Sequence, residues 1–172
     1  MYPRLLPVLV TACAMLVACG GGKEQPVAKP EGTGATATPS PPSTPAPAEA
    51  PGADAYQVCS TCHQPNGEGV PNAFPPLAGS DYVNGPGDLH IAIVLKGLSG
   101  PITVKGQAFN GLMAPWESLS DAQIADAINY ERASWGNTGK PVTEAEVAAV
   151  RSAVKSRKAA WTVDELKEAK LR

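Results

Sequence analysis

The chain has 172 residues, 43% of them hydrophobic and 17% charged, with 14 Lys and Arg against 16 Asp and Glu for a net charge of −2. Without a long basic run, that balance argues against a nucleic-acid binder. No run of 18 clean apolar residues occurs, which excludes a multi-span membrane protein.

Residues 1–18 read as a secretory leader: Arg4 is the lone charge before the apolar stretch Leu5–Val17. Leu16-Val17-Ala18-Cys19 resembles the lipobox of bacterial lipoproteins, in which the cysteine is acylated and becomes the first residue after cleavage. The alternatives are an uncleaved signal anchor, which Pro3, Pro7, Thr11 and Cys13 make short and impure, and plain secretion, which leaves Cys19 as an unpaired thiol. Residues 19–52 continue as a linker. Eight of the 18 prolines fall between Gly20 and Gly52, with no aromatic and a single valine, Val27. Such a segment buries too little apolar area to offset its chain entropy, and its prolines make it a semi-extended tether.

From 53 to 139 the composition turns globular. A short helix is expected over Ala53–Ser60, leading into Cys59-Ser-Thr-Cys62-His63 and then a turn-rich stretch. Asp88–Leu98 reads as a second helix with Leu89, Ala92, Ile93 and Lys96 on one face. Ser120-Asp-Ala-Gln123 is a capping box that starts a third, whose Ile124, Ala127, Ile128 and Glu131 share a side and which stops near Trp135 at Gly136-Asn137. No stretch alternates convincingly as a strand, so the fold class is all-α with long loops. Residues 140–172 form a helical C-terminal extension with two more capping boxes, Thr143/Glu146 and Thr162/Glu165, and a thin apolar stripe of Val147, Val150 and Val154.

Cys59 and Cys62 followed at once by His63 is the pattern of covalent haem c attachment. Two thiols three residues apart on a helical turn reach two vinyl groups on one porphyrin edge, and the adjacent imidazole turns to the iron as an axial ligand. A disulfide there would close a tiny loop of little entropic value, a thioredoxin-type pair wants a βαβ context, and zinc needs a second ligand pair. For the other axial position, Met1 and Met15 leave with the leader, so Met113 is the one thioether of the mature chain, in the loop Gly111-Leu-Met113-Ala-Pro115-Trp116. His90, or an open site, is the alternative. His90 sits one position off the Leu89/Ala92/Ile93 face and is expected at a rim or exposed. Iron held by two protein ligands has no site for a substrate, which leaves electron transfer and no catalytic residues.

Residues 54–137 resemble a class I monohaem cytochrome c, most of all the small domains that accompany bacterial copper nitrite reductases, alcohol dehydrogenases and terminal oxidases. The stretches that carry the likeness are Cys59-Ser-Thr-Cys62-His63, Phe74 to Ser80, Gly97 to Ile102, Met113-Ala-Pro115-Trp116 and Tyr130 to Asn137. The resemblance implies a fold wrapped around one covalent haem, with the Pro75 carbonyl accepting from the proximal histidine Nδ1 and Leu77 lying on the haem. It also implies a contact between the first and last domain helices, for which Tyr56 and Tyr130 are suited. It does not account for residues 140–172. The expected protein is an exported, lipid-anchored electron carrier on the periplasmic side of a bacterial membrane, serving an oxidase, reductase or dehydrogenase of a respiratory chain. The alternatives are an electron-handling subunit of a larger complex and a ligand-binding or peroxidatic haem protein.

Charge is unevenly spread. Residues 53–139 carry three basic and eight acidic residues, net −5, while 140–172 carry eight basic and five acidic, net +3, with Arg151, Lys155, Arg157 and Lys158 grouped. Docking through a small apolar patch is therefore expected. The extension is either a partner- or lipid-contacting basic segment or a solvated helical extension packed on the domain.

Overall fold

The computed structural model describes residues 50–171; the leader, Cys19 and nearly all of the linker lie outside the described residues. The elements in order are α1 (Ala53–His63), α2 (Asp81–Asn84), α3 (Gly87–Lys96), β1 (Leu98–Val104), β2 (Gln107–Met113), α4 (Asp121–Ala133), α5 (Glu144–Ala153) and α6 (Val163–Glu168). All three capping boxes form: Ser120, Thr143 and Thr162 each accept from the backbone N–H three residues on, and Gln123, Glu146 and Glu165 reach back. Each satisfies two amides that a helix start leaves without partners.

The fold is helical but not all-α. β1 and β2 form an antiparallel hairpin in which Leu98 faces Met113 and Val104 faces Gln107. Its two-residue turn, Lys105-Gly106, has φ of 51° and 77°. Positive φ at both positions is the turn whose twist matches paired strands. Gly100, Pro101 and Gly111 interrupt the apolar alternation, which is why the strands are not legible as such.

α1 crosses α4 through aromatic rings: Tyr56 stacks on Tyr130 with centroids 5.1 Å apart, and Trp135 meets both. At the start of α1, Gly52 approaches α4 so closely that a Cβ there would lie 2.3 Å from the Asp126 carbonyl oxygen. α3 is the central helix, with His90 through Leu95 all buried. One apolar core joins Ile91 and Leu95 of α3 and Ile124 and Ile128 of α4 to Val147 and Val150 of α5, and takes in Trp161, Leu166 and Leu171. The extension is therefore part of the core rather than a solvated appendage. Trp161 also bridges to Leu98 in parallel sense, with its N–H donating to Gly97 O (3.0 Å) and Ser99 N–H donating back to its carbonyl (2.7 Å).

This packing corrects two expectations. His90 is neither exposed nor at a rim; it is 5% exposed, because α4 and α5 both cover α3. The grouped basic residues are also not a free patch. Arg151 donates to Asp121 Oδ1 and to the Glu117 and Leu119 carbonyls, each at 2.7 Å. Arg157 lies 3.7 Å from the Trp161 ring centroid and donates to the Ala159 and Ala160 carbonyls and to Glu165. Only Lys155 and Lys158 of the four are left exposed.

Candidate functional site

α1 delivers Cys59 and Cys62 on its last two turns and His63 as its final residue. Both thiols are free and half-buried; His63 is buried. The helix ends there because Gln64 takes φ 63°, and its carbonyl is held by the Tyr56 hydroxyl at 2.7 Å. The chain loops back so that Pro75 O lies 2.9 Å from His63 Nδ1. A carbonyl only accepts, so Nδ1 carries the hydrogen and Nε2 keeps a bare lone pair, the form of imidazole that binds metal. The bond also fixes the ring orientation and raises its basicity.

The carbonyl is itself positioned. Gly69, at φ +66°, packs against it: a Cβ there would stand 2.3 Å from Phe74 O and 2.6 Å from Pro75 O. Asn137 braces the following loop, with its Oδ1 accepting from Gly79 N–H (2.8 Å) and Asn84 Nδ2 (3.0 Å) and its amide donating to the Leu77 (3.2 Å) and Glu131 (2.8 Å) carbonyls. In the sequence Asn137 reads only as a helix stop.

Met113 ends β2, and its carbonyl fits against Gly97, where φ is +76° and a Cβ would lie 2.3 Å from Met113 O. Trp116 N–H donates to Val94 O at 2.9 Å, which pins the loop after Met113 to α3. A cavity of about 270 Å³ is lined by Cys59, Cys62, His63, Pro75 and Met113, with apolar walls from Val58, Phe74, Leu98, Ile102, Phe109, Leu112 and Trp116. A smaller one of about 60 Å³ shares Cys59, His63, Pro75, Leu98, Ile102 and Met113 with it and adds Leu77, His90 and Glu131. The structure thus brings six sequence-derived residues, Cys59, Cys62, His63, Pro75, Leu77 and Met113, to one place; Cys19 lies outside the described residues. His90 is here too, with its Nε2 2.9 Å from Glu131 Oε2.

The lining fits a covalently attached porphyrin: two free thiols beside an imidazole with a bare nitrogen, a thioether, and otherwise apolar walls. Burial, with Glu131 and Cys62 adding to it, pushes the Cys59 thiol up to about 12, so it stays protonated until it is alkylated. The hairpin's contribution of Ile102 and Phe109, and Glu131, went unseen in the sequence. The signal for Glu131 was a carboxylate on the apolar side of α4.

The family model for cytochrome c matches residues 49–135. The chain belongs to the cytochrome c family. This cytochrome c is 40% identical over 114 residues to cytochrome c-552 of Thermus thermophilus, covering 61% of its own chain and 77% of that relative. It is 40% identical over 108 residues to the cytochrome c subunit of a quinone alcohol dehydrogenase from Gluconacetobacter polyoxogenes, covering 60% of this chain and 23% of the relative. The gluconate 2-dehydrogenase cytochrome c subunit of Pantoea cypripedii is 34% identical over 110 residues, 58% of this chain and 24% of the relative. The cofactor of this cytochrome is covalently bound haem c, and its function is electron transfer rather than catalysis of its own. Among the described residues no helix is long and apolar enough to cross a membrane.

Proposed function

We propose that this cytochrome is a membrane-tethered electron carrier whose single haem c is attached through Cys59 and Cys62 and ligated by His63 and Met113. The observation that carries this is the engaged Nδ1 of His63, bound to Pro75 O, in a lining that also includes Met113. Met113 is the sole methionine between residues 50 and 171, and His90, the rival nitrogen ligand, is bound to Glu131. The haem supplies one reversible electron. The chain supplies a largely apolar lining and a soft sulfur that favours Fe(II), which raises the potential above that of bis-histidine ligation.

Cytochrome c domains are generally exported, and the reading extends this to a leader over 1–18, a lipidated Cys19, a tether through residue 52, a haem domain over 53–139 and an extension over 140–172. A tether of this kind lets the haem domain swing between membrane-bound oxidases, reductases or dehydrogenases on the periplasmic side. Val58, Phe74 and Leu112, the exposed large apolar side chains among the described residues, all border the larger cavity and suit a weak apolar docking contact. The dehydrogenase relatives favour a second reading, an electron-handling partner of a dehydrogenase complex.

The ferric protein should display the far-red absorption band of methionine–iron ligation. Met113→His should abolish it and lower the midpoint potential within the roughly 0.8 V that axial ligands span. A band that survives Met113→His overturns the ligand assignment. Cys19→Ser should release the protein from membranes; continued membrane association overturns the lipid anchor.

A further inference from the structure

Two ionisable side chains stand in the haem-cavity lining without a part in attachment or ligation. His90 of α3 and Glu131 of α4 are 5% and 3% exposed, with Nε2 and Oε2 2.9 Å apart. Both line the smaller cavity together with Cys59, His63 and Met113. A buried pair of this kind is weak evidence for stability, since apolar side chains of similar volume often do as well. Here the arrangement is also incomplete: His90 Nδ1 and Glu131 Oε2 are both buried without a hydrogen-bond partner in the structure, so the two side chains meet as an ion-pair contact only.

The pair's net charge is decided by one proton. With an added proton it is neutral, whether the hydrogen sits on Nε2 or on the carboxylate; without it the pair carries one negative charge. The iron's charge also changes by one unit between its two states. For a unit charge across roughly 10 Å of protein at an effective dielectric of about 20, Coulomb's law gives an equilibrium shift of roughly tenfold.

We propose that His90 and Glu131 form a proton-binding site coupled to the haem, which takes up a proton from solvent as the iron gains its electron. This rests on the reading that the haem occupies this cavity. The balance is one electron to the iron and one proton to the pair, so reduction leaves the buried region with unchanged total charge. Ferric iron favours the negative pair and ferrous iron the neutral one. The midpoint potential therefore falls as pH rises through the range in which the pair titrates.

The other groups facing the pair do not compete near neutrality. From α1, burial and Glu131 hold the Tyr56 hydroxyl far above its ordinary value, Cys59 is a thioether once haem is attached, and His63 Nδ1 is committed to Pro75. From α4, burial lowers the Arg132 guanidinium and Glu131 opposes that, but arginine stays charged. Ser80 and the Tyr82 phenol complete the polar lining of the smaller cavity.

The test is the midpoint potential of the full-length holoprotein from about pH 5 to about pH 9. The wild type should show a fall with pH of up to tenfold in the equilibrium per unit, about 59 mV. The double variant His90→Leu/Glu131→Leu, which removes both charges together and keeps the volume apolar, should lose the slope and sit roughly tenfold, about 59 mV, above the wild type at the alkaline end. His90→Gln/Glu131→Gln keeps both side chains polar but leaves neither able to bind the proton, and should lose the slope in the same way; it serves if the leucine variant fails to fold. A flat wild-type profile, or a slope that persists in either variant, overturns the proposal. If the wild type lacks the methionine–iron band, the cavity reading itself has failed, and this is read independently of the slope.

Discussion

His63 Nδ1 donates to the Pro75 carbonyl at 2.9 Å, across a loop that closes on itself only because residue 69 has no side chain. Gly69→Ala puts a Cβ within 2.6 Å of that same carbonyl and forces a non-glycine residue to φ +66°. The loop must shift, at a cost of at least about 1–3 kcal/mol. The holoprotein should melt several degrees lower and its methionine–iron band should weaken, because the imidazole loses its orientation. Calorimetry and the ferric spectrum check this; an unchanged spectrum would mean that the Pro75 bond does not steer the ring.

The extension holds one wall of the cavity from behind. Trp161 joins the core, donates its indole N–H to Ala92 O at 3.1 Å and pairs with the strand that faces Met113. Trp161→Ala should cost about 3–5 kcal/mol in a denaturant titration, of the order expected for deleting a buried tryptophan. Removal of residues 140–172 should leave a chain that is poorly folded even with haem attached. A truncated protein with the full-length stability would refute this role.

Leu112 is 71% exposed at the edge of the larger cavity. Replacing it with Gln, which removes the apolar contact without adding a charge, should slow electron exchange with a physiological partner several-fold while leaving the potential and the melting temperature nearly unchanged, since the side chain packs on little. Lys155→Gln/Lys158→Gln tests the competing basic surface. Stopped-flow rates over a salt series separate the two, because an apolar contact is weakly salt-dependent and a charged one strongly so.

Acid should loosen the C-terminal helix first. Glu165 accepts from Arg157 and from Thr162, and these bonds lower its carboxyl from 4.5 to about 2 in the folded chain. A depressed folded value means that the contribution is present above 4.5 and is lost as pH falls from 4.5 through 2. Glu165→Gln should remove this pH dependence. Amide exchange at Leu166, corrected for its intrinsic rate, follows the change; equal acid sensitivity in both proteins would assign it elsewhere.

How legible was the site? Local chemistry singled out the cysteine pair, the histidine beside it and the lone methionine, which the structure brings to one cavity, because each depends on residue type and spacing along a few positions. The three capping boxes were legible for the same reason: each is a reciprocal bond within four residues. The hairpin was not, since its strands earn their pairing from each other and from Trp161, which lies 63 residues beyond Leu98. His90 was misplaced because one apolar face of α3 was visible while its next face meets Glu131 of α4 and the cavity, a contact between distant segments that no local pattern reveals.

The sequence by itself determined that this chain carries a covalent haem and transfers electrons, since a thiol pair beside an imidazole is a local arrangement with few chemical uses. Only the tertiary structure decided that residues 140–171 complete the core, and that Glu131 meets His90 beside the haem cavity. Burial and pairing between distant segments are properties of the packed whole, and no window of neighbouring residues contains them.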